Sequence, residues 1–452
     1  MITSINPYTG KKIGQVKQYS EKQIEESIEK AQKAFSQWKS VPIAKRAKVL
    51  RAAAAELKNN KNEYAETITA EMGKPISQSL AEIEKCAWVC EYYAENAEEH
   101  LAQDPIETDA LNSYVSYEPL GVILAVMPWN YPFWQVFRFA APALMAGNTA
   151  LLKHASNVML SAGNIQKIFE IAGLPPGGFL NLPIGSDKVE DIIKDKRIKA
   201  VTLTGSKPAG SAVAAVAGEY IKKSVLELGG SNALVIFEDA NLEKAAETCV
   251  QARFQNMGQS CIAGKRLLLH NSIEKEFLEI FIEKINALTS GDPMNEKTFL
   301  GVMAKEDLAK ELEEQVKKSV EKGAKVILGG KRKGTYFEPT VLTGVTPEMA
   351  VFKEETFGPV ISITPFKNEE EAIELVNVSA FGLGVSIFTQ DMEKAKHLIP
   401  LFEDGAVFVN ELVKSDPRLP FGGTKTSGYG RELSIHGIRE FVNKKTVYIN
   451  KY

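Results

Sequence analysis

The chain has 452 residues, of which 44% are hydrophobic and 25% charged, and its formal net charge at pH 7 is -3. A chain of this length is expected to form two or three domains rather than one. The nearly balanced charge gives no electrostatic basis for binding nucleic acid or a membrane surface, so we expect small-molecule ligands.

The amino-terminal sequence and the cysteine content both bear on the cellular compartment. Residues 1–7 lack the basic and apolar regions of a secretory signal, and no later stretch reaches the ~18 uninterrupted apolar residues of a membrane span. Four cysteines are too few for a disulfide framework in a chain of this size. We therefore expect a cytoplasmic protein without structural disulfides or metal sites.

The amino-terminal part of the chain is predicted to be helical. A capping-box pattern begins at Ser20, and apolar residues then recur on one helical face as far as Trp38. Further helices are predicted over residues 44–57, in the segment that ends at Gly73, and over residues 78–100. Together these helices are expected to form an outer layer.

From Gly121 onward, short apolar strands alternate with helices, which is typical of parallel βαβ units. The predicted strands cover residues 122–126, 149–152, 179–182, 200–203 and 224–226, and the helices between them cover residues 137–145, 157–172, 189–193 and 209–217. We predict a doubly wound nucleotide-binding domain here.

A second α/β cycle begins after Gly230. Its predicted strands cover residues 233–237 and 266–270, each followed by a helix. Two segments outside these cycles, residues 113–117 and 446–449, alternate like edge strands and are predicted to form a protruding ribbon for contact between subunits.

Cys261 and Glu227 are the candidates for covalent catalysis. Cys86, Cys90 and Cys249 lie in apolar helical patterns that favour packing, whereas Cys261 lies in a Gly-bearing turn. A cysteine attacks as the thiolate and its free pKa is about 8.5, so a catalytic cysteine needs a lowered pKa or a base nearby. Glu227, in a second Gly-bearing turn, is the candidate base.

Two features suggest a site for an anionic ligand. Gly205 and Ser206 follow a predicted strand and open a helix, where backbone N–H groups can bind a diphosphate. Lys153 ends a predicted strand at the edge where ligands of open α/β sheets bind. Taken alone, Gly-Ser before a helix is more often a plain helix cap, and a lone Lys in this position is more often a solvated strand end.

Asn130 ends another predicted strand, between aromatic and proline residues. An amide is a neutral hydrogen-bond donor, so it can stabilise an oxyanion without neutralising a thiolate. The alternative is an ordinary Pro-Asn turn before a helix.

Seven motifs together resemble the aldehyde dehydrogenase superfamily in order and approximate spacing, over nearly the whole chain. They are PWNYP at 128–132, APALMAGN at 141–148, TGS at 204–206, ELGG at 227–230, NMGQSC at 256–261, EETFGPV at 354–360 and PFGGxKxSG at 420–428. The match is closest to the short bacterial succinate-semialdehyde dehydrogenase type.

The resemblance implies two doubly wound α/β domains and a small β oligomerisation ribbon. Residues 1–104 and 121–227 would form the cofactor domain and residues 228–414 the catalytic domain. Residues 105–120 and 435–452 would form the ribbon, and residues 415–434 a return segment near the active site. A homodimer or a dimer of dimers is expected.

The resemblance also implies a mechanism. Cys261 attacks an aldehyde carbonyl, Asn130 and the Cys261 backbone N–H hold the oxyanion, and Glu227 activates the water that hydrolyses the thioester. The cofactor, NADP or NAD, is expected to contact Trp129, Lys153, Ser156, Gly205, Ser206, Leu228, Glu355 and Phe357. Ser156 stands where NAD-selective members often carry Glu, so the 2′-phosphate of NADP should be admitted.

The resemblance places Arg138 and Ser415 at positions that bind the distal carboxylate of succinate semialdehyde. An Arg in an aldehyde tunnel needs an anionic partner, and its planar fork suits a carboxylate. An internal Glu paired with Arg138 is the alternative. The other candidate substrate-binding residues are Gln135, Trp134 and Phe421. Some members carry a second Arg where this chain has Gln255, so Arg418 is a further candidate.

We therefore predict an NAD(P)-dependent oxidation of succinate semialdehyde to succinate. The alternatives are another small aldehyde such as glutarate semialdehyde or lactaldehyde, or a non-catalytic binding protein with this fold. A CoA-acylating enzyme is disfavoured by Glu227. A cysteine hydrolase is disfavoured because none of the five His lies in a recognisable partner motif.

Overall fold

The computed structural model describes residues 1–451 and is built around two large β-sheets. The first is six-stranded, with the order Gly428–Tyr429, Lys223–Glu227, Ile198–Thr204, Val122–Met127, Thr149–His154 and Phe179–Asn181. Its strands are parallel except for Gly428–Tyr429, which pairs antiparallel with Lys223–Glu227. Helices follow these strands at Trp134–Met145, Met159–Ile171, Val189–Lys194 and Lys207–Glu219.

The second sheet is seven-stranded. Its order is Lys325–Leu328, Thr340–Thr343, Val360–Phe366, Gly264–His270, Asn232–Ile236, Val385–Phe388 and Val407–Val409. Only Lys325–Leu328 runs antiparallel to its neighbour. Its helices are Leu242–Phe254, Glu274–Asn286, Glu306–Glu321, Ala350–Lys353, Glu369–Asn377 and Met392–Leu398. The central strands of both sheets are strongly buried, as expected for parallel strands covered on two faces.

Four helices form the predicted layer at the amino-terminal end: Glu21–Trp38, Ile43–Asn59, Lys61–Met72 and Ile76–His100. The capping box at Ser20 is confirmed, because its side chain accepts from the Gln23 N–H while the Gln23 side chain accepts from the Ser20 N–H. The predicted stop at Gly73 is also confirmed, since this residue has a left-handed φ of 75°. A hairpin of Ile2–Ile5 and Lys12–Val16 precedes the layer.

The predicted ribbon is a three-stranded antiparallel sheet in the order Val442–Ile449, Asn112–Pro119 and Asp104–Pro105. One part of the segment assigned to it from sequence has a different structure. Residues 435–438 belong to a short helix, Ser434–Ile438, that packs against Trp134–Met145. The ribbon pairing therefore begins at Val442, and the other domain boundaries stay predictions.

The six-stranded sheet contains a switch point in its strand order. Val122–Met127 lies between Ile198–Thr204 on one side and Thr149–His154 on the other. At such a point, the loops that leave the carboxyl ends of neighbouring strands diverge and open a crevice. Asn130 and Gly205 follow the two strands that border this crevice. In the range 1–451, no helix has the length and apolar character needed to cross a membrane.

Candidate active site

A first cavity of about 480 Å³ opens at this crevice. Residues that the sequence singled out form much of its wall: Trp129, Asn130, Gly205, Ser206, Leu228, Cys261, Glu355 and Phe357. They come from both large sheets, so the cavity lies between the two α/β halves of the chain. Its volume is within the range of cofactor sites in enzymes.

One end of the first cavity is a helix N-terminus. Ser206 is the N-cap of Lys207–Glu219, and its side chain makes no capping hydrogen bond. The Gly205 N–H donates to the Glu227 carbonyl oxygen at 3.0 Å, which fixes the turn before the helix. First-turn N–H groups with no capping side chain form a binding site for a diphosphate, so the residues present fit a dinucleotide.

The other end of the first cavity is formed by Glu355 and Phe357. The Glu355 carboxylate accepts hydrogen bonds from the Gly230 N–H at 3.0 Å and from the Lys265 ammonium at 3.1 Å. The Phe357 ring lies edge-on to the Trp129 ring, with centroids 5.6 Å apart. The cavity therefore offers an acidic group beside a flat apolar face.

The structure does not bring Lys153 and Ser156 into the lining of the first cavity. Lys153 is the penultimate residue of its strand and is partly buried, whereas Ser156 is exposed at the start of a short 3-10 helix. Burial lowers the pKa of Lys153, and the nearby Lys305 ammonium adds to this effect. Two neighbouring ammonium groups favour an anionic ligand, which agrees with the predicted role of Lys153 at a 2′-phosphate. That role stays a prediction.

The loop before Cys261 has an unusual backbone. Asn256 and Met257 are both left-handed, with φ of 54°. This conformation is costly for residues with a side chain, so surrounding contacts must hold it. The Asn256 amide donates to the carbonyl oxygens of Asn130 at 2.9 Å and Gln259 at 3.1 Å. Asn256 therefore ties the thiol loop to the loop of the proposed oxyanion residue.

Lys265 fixes the other side of the same turn, and the sequence analysis missed it. Its buried ammonium donates to the carbonyl oxygens of Ser260 and Cys261 at 2.8 and 2.9 Å, and to Glu355. All three of its N–H donors are used. The signal in the sequence was a lysine that lies four residues after Cys261, near the start of a buried strand.

The Cys261 thiol borders both cavities of the site. Burial raises its pKa to about 11, against the opposing effect of the Arg138 and Lys265 cations. The thiol form therefore predominates at neutral pH in the protein alone. Asn130 also faces this region, and its amide donates to the Gln259 carbonyl oxygen at 3.2 Å.

Glu227 is fully buried, and neither of its carboxyl oxygens has a hydrogen-bond partner within residues 1–451. Burial raises its pKa well above the usual value, and the Glu432 carboxylate raises it further. Both effects favour the protonated form of Glu227 relative to an exposed carboxyl group. Its neighbours Leu228 and Gly229 border the first cavity.

A second, smaller cavity of about 140 Å³ also reaches Cys261. Five of the six residues predicted to bind substrate line it: Trp134, Gln135, Arg138, Ser415 and Phe421. Arg418 does not line it and instead pairs with Asp416 at 2.6 Å. The cavity is thus a small chamber that ends at the thiol.

Arg138 forms a buried ion pair with Glu432, the alternative that the sequence left open. Its guanidinium also lies 4.5 Å from the Phe421 ring centroid and 3.4 Å from the Thr204 hydroxyl. Glu432, missed from sequence, contacts Arg138 directly; burial raises the pKa of its carboxyl group, and the Arg138 cation opposes this effect. The role of Arg138 towards a substrate carboxylate stays a prediction.

Lys85 is a further residue of the second cavity that the sequence analysis missed. Its ammonium donates to the Ser415 hydroxyl at 2.9 Å and lies 4.3 Å from the Trp134 ring centroid. A lysine on the buried face of a predicted helix was the available signal. Within residues 1–451, no cluster of His, Cys, Asp or Glu is placed to hold a metal ion.

Comparison with known proteins agrees with this geometry. A model of the aldehyde dehydrogenase family matches residues 1–447. This chain belongs to the aldehyde dehydrogenase family. Its relatives include a probable NADP-dependent succinate-semialdehyde dehydrogenase of Synechocystis sp., 48% identical over 99% of both chains. Another is the NAD(P)-dependent succinate semialdehyde dehydrogenase Sad of Escherichia coli, 46% identical over 98% of this chain and 97% of the relative.

Solved structures of other aldehyde dehydrogenases share the fold. The succinic semialdehyde dehydrogenase of Streptococcus pyogenes, solved in complex with NADP+, is 35% identical and superimposes with a TM-score of 0.97 over 100% of both chains. The predicted α/β fold of this aldehyde dehydrogenase, with two sheets of parallel strands flanked by helices, is thereby confirmed.

Proposed function

We propose that this aldehyde dehydrogenase oxidises succinate semialdehyde to succinate with NADP or NAD. The observation that carries the proposal is the second cavity, which joins the Cys261 thiol to a wall containing Arg138, Lys85 and the Ser415 hydroxyl. A small chamber with cationic and hydroxyl groups suits a short aldehyde with a distal carboxylate. The names of the relatives from Synechocystis sp. and Escherichia coli agree with this substrate.

Acylation begins when Cys261 passes its proton to solvent water and its sulfur forms a bond to the aldehyde carbon. The carbonyl π bond opens onto oxygen, and the Asn130 amide and the Cys261 backbone N–H stabilise that oxyanion. A nicotinamide bound in the first cavity would supply the acceptor for the hydride that leaves this carbon, and the aldehyde would thereby be oxidised to a thioester.

Deacylation requires a base, and Glu227 is the proposed one. It removes a proton from water, whose oxygen attacks the thioester carbon, and the C–S bond then breaks to release succinate and the Cys261 sulfur. Because the pKa of Glu227 is raised, only its deprotonated fraction can act. Deacylation should therefore accelerate as the pH rises towards that pKa.

The cofactor would be held by the chain's own groups along the first cavity. The first turn of Lys207–Glu219 with Ser206 would bind the diphosphate, and Trp129 and Phe357 would border the rings. Lys153 and Ser156 carry no negative charge, so the 2′-phosphate of NADP is not repelled. The Streptococcus pyogenes enzyme was solved with NADP+.

Assembly and location are also part of the proposal. A second copy of the chain would pair at the ribbon to give a homodimer or a dimer of dimers. The four cysteines are free, and Cys86, Cys90 and Cys249 are buried, which fits a reducing compartment. We place the enzyme in the cytoplasm on this basis.

The test is a panel of aldehydes assayed with NADP and with NAD by the absorbance of the reduced cofactor. Succinate semialdehyde should give the highest kcat/KM, above glutarate semialdehyde, lactaldehyde and butanal. Faster turnover of a neutral aldehyde would contradict the substrate assignment. Activity without cofactor would indicate a hydrolase, and no turnover of any aldehyde would indicate a binding protein.

Two variants test the roles within the mechanism. Cys261→Ala should abolish oxidation yet still bind the cofactor, because the thiol lies outside the diphosphate site. Glu227→Gln should release about one equivalent of reduced cofactor per site in a burst and then turn over slowly, because only deacylation needs the base. A Glu227→Gln variant with no burst would place Glu227 in the first half of the reaction.

A further inference from the structure

The oxyanion loop, residues 128–132, carries Trp129 and Asn130 but contains no helix or strand. Its position therefore depends on contacts with other parts of the chain. One of these is the Asn256 amide, which donates to the Asn130 carbonyl oxygen at 2.9 Å. A second contact holds the end of the loop, and it comes from His154.

His154 is the last residue of strand Thr149–His154, and its side chain is fully buried. Its Nε2 atom lies 2.8 Å from the carbonyl oxygen of Pro132, at the end of the oxyanion loop. Its Nδ1 atom accepts the backbone N–H of Ala155 at 2.9 Å. Residues 155 and 156 form the turn after the strand, called here the Ser156 turn. One imidazole ring thus contacts both the oxyanion loop and the Ser156 turn.

These contacts determine which nitrogen of the ring carries the proton. Burial lowers the pKa of His154 to about 4, so the ring is neutral at neutral pH. A proton on Nε2 is donated to Pro132 and leaves Nδ1 free to accept the Ala155 N–H. A proton on Nδ1 would reach only the Met127 carbonyl oxygen, at 3.2 Å, and would leave Nε2 as a bare acceptor facing the Pro132 oxygen. The Nε2–H form is therefore favoured.

Both segments that the ring contacts carry groups with a role in the proposed function. The oxyanion loop carries Asn130, the proposed donor to the oxyanion. Lys153 precedes His154 in the strand and Ser156 lies in the turn, and both are the proposed neighbours of the NADP 2′-phosphate. A displacement of about 1 Å at a reacting group can slow a reaction about 100-fold, so contacts that fix such groups affect rate.

We infer that His154 is a positioning residue with two separable tasks: its Nε2–H holds the oxyanion loop, and its Nδ1 holds the Ser156 turn. The first task supports the rate of acylation through Asn130. The second supports the binding of NADP over NAD through Lys153 and Ser156. The inference rests on the proposed function, since it uses the roles proposed for these three residues. The ring of His154 is fully buried and lines neither cavity, so it acts through its neighbours.

Two amide variants separate the tasks, because each reproduces one nitrogen of the imidazole. The amide of His154→Gln lies at about the distance of Nε2, so it can donate to Pro132 but leaves the Ala155 N–H without its acceptor. The amide oxygen of His154→Asn lies near the place of Nδ1, so it can accept the Ala155 N–H but does not reach Pro132. His154→Leu removes both contacts.

The first measurement is the rate of acylation. Formation of the reduced cofactor in the first turnover is followed by stopped flow at saturating aldehyde and NADP. His154→Asn should lower this rate constant by about 10- to 100-fold, because the oxyanion loop is released. His154→Gln should stay within about threefold of the wild type, and His154→Leu should be as slow as His154→Asn.

The second measurement is cofactor binding, which needs no turnover. Quenching of protein fluorescence gives the dissociation constants of NADP and NAD, and their ratio reports on the 2′-phosphate because the two cofactors differ only there. His154→Gln should weaken NADP relative to NAD by about tenfold, the effect of one hydrogen bond to a charged group. His154→Asn should keep the ratio of the wild type.

His100→Gln is the matched control, because His100 is also buried but lines neither cavity. It should change neither readout, and the thermal midpoint of each variant shows that it is folded. Opposite losses in the Gln and Asn variants of His154 support the inference. Equal losses in both variants, or no loss in either, would overturn it, because His154 would then serve only the fold. A wild type that prefers a neutral aldehyde contradicts the proposed substrate instead, and both readouts then apply with that aldehyde.

Discussion

Cys261 is the residue on which opposing electrostatic effects converge. Burial and the carboxyl groups of Glu355 and Glu227 raise the pKa of its thiol, whereas the cations of Arg138 and Lys265 lower it, and the result is about 11. The protein alone therefore keeps the nucleophile in its protonated form. A thiol is a poor nucleophile, so it is protected from oxidation and alkylation at neutral pH.

This protonation state can be measured by alkylation. The rate at which iodoacetamide modifies Cys261 in the cofactor-free enzyme should rise about tenfold per pH unit between about pH 7 and 10, because the thiolate fraction rises in that proportion below the pKa. Cys261→Ser is the control and should not react, since the other three cysteines are buried. A plateau near pH 8 would show that the thiolate is already stabilised.

Arg138 and Glu432 form the second residue-scale feature. Removing one member of a buried ion pair leaves the other without compensation, which costs about 3–5 kcal/mol of the free energy of unfolding. Arg138→Leu should therefore destabilise the enzyme in urea and lower kcat/KM for charged and neutral aldehydes alike. The double variant Arg138→Leu with Glu432→Leu should recover most of the stability.

The comparison of succinate semialdehyde with butanal decides what Arg138 does. If Arg138→Leu impairs only succinate semialdehyde and leaves the free energy of unfolding unchanged, Arg138 reads the substrate carboxylate, as the sequence predicted. An equal loss of kcat/KM on both aldehydes would show that Arg138 positions other groups of the site. Because Arg138 also lowers the pKa of Cys261, its loss should shift the alkylation profile to higher pH.

At the scale of elements, one face of helix Ile76–His100 organises the site. Gln78 accepts the Asn256 N–H at 2.7 Å, Glu82 holds the first N–H groups of Trp134–Met145, and Lys85 reaches Ser415. These three residues are spaced by four and three positions, so they lie on the same face. The helix thus connects the thiol loop, the helix of Arg138 and the proposed carboxylate site.

Gln78→Ala tests this arrangement at the thiol loop. The change leaves the N–H of left-handed Asn256 without a partner, so the free energy of unfolding should fall by about 1–3 kcal/mol and kcat should fall with it. Cofactor affinity, measured by protein fluorescence, should change little. Glu84→Gln is the control because this residue pairs with Lys61 on an exposed surface. Unchanged kcat in Gln78→Ala would mean that the loop holds its geometry alone.

The sequence predicted the elements well because their signals are local. Capping at Ser20, the glycine stop at Gly73 and the alternation of apolar strands with helices depend on neighbouring residues. The contacts within the site, by contrast, join residues that are far apart in the sequence. Lys85 and Ser415 are 330 positions apart, and no periodicity within either segment indicates that they meet.

The sequence motifs, unlike the long-range contacts, did predict part of the site. They placed Cys261, Asn130 and Glu355 around one cavity, because each motif comes with its own turn geometry. They did not reveal that Arg138 is paired with Glu432, since both residues lie outside the motifs and Glu432 is at the far end of the chain. Ion pairs of this kind depend on the packing of whole helices and could be found only from the fold.

At the scale of the whole molecule, the ribbon has an unpaired edge. Val442–Ile449 pairs only with Asn112–Pro119, and within residues 1–451 its other side has no strand. Exposed apolar side chains lie close by, including Leu111 at 60% and Ile449 at 44% exposure. An edge with apolar surface favours pairing with another chain, which supports the proposed oligomer.

Sedimentation velocity tests this assembly. The wild type should sediment as a dimer or tetramer, and Leu111→Lys with Ile449→Lys should shift it towards the monomer, because both place charge in an apolar contact. Ile221→Lys is the matched control, since Ile221 is 91% exposed on a different part of the surface. A wild type that sediments as a monomer would remove the ribbon from the interface.

The return of the carboxyl-terminal segment to the site has a consequence for biosynthesis. A ribosome completes Cys261 long before it completes Ser415 and Glu432, which supply the hydroxyl beside Lys85 and the partner of Arg138. The nascent chain therefore carries its reactive sulfur without a finished substrate chamber. A chain that ends before Ser415 should therefore lack catalytic activity, and the apolar surface exposed in the unfinished half makes it prone to aggregate.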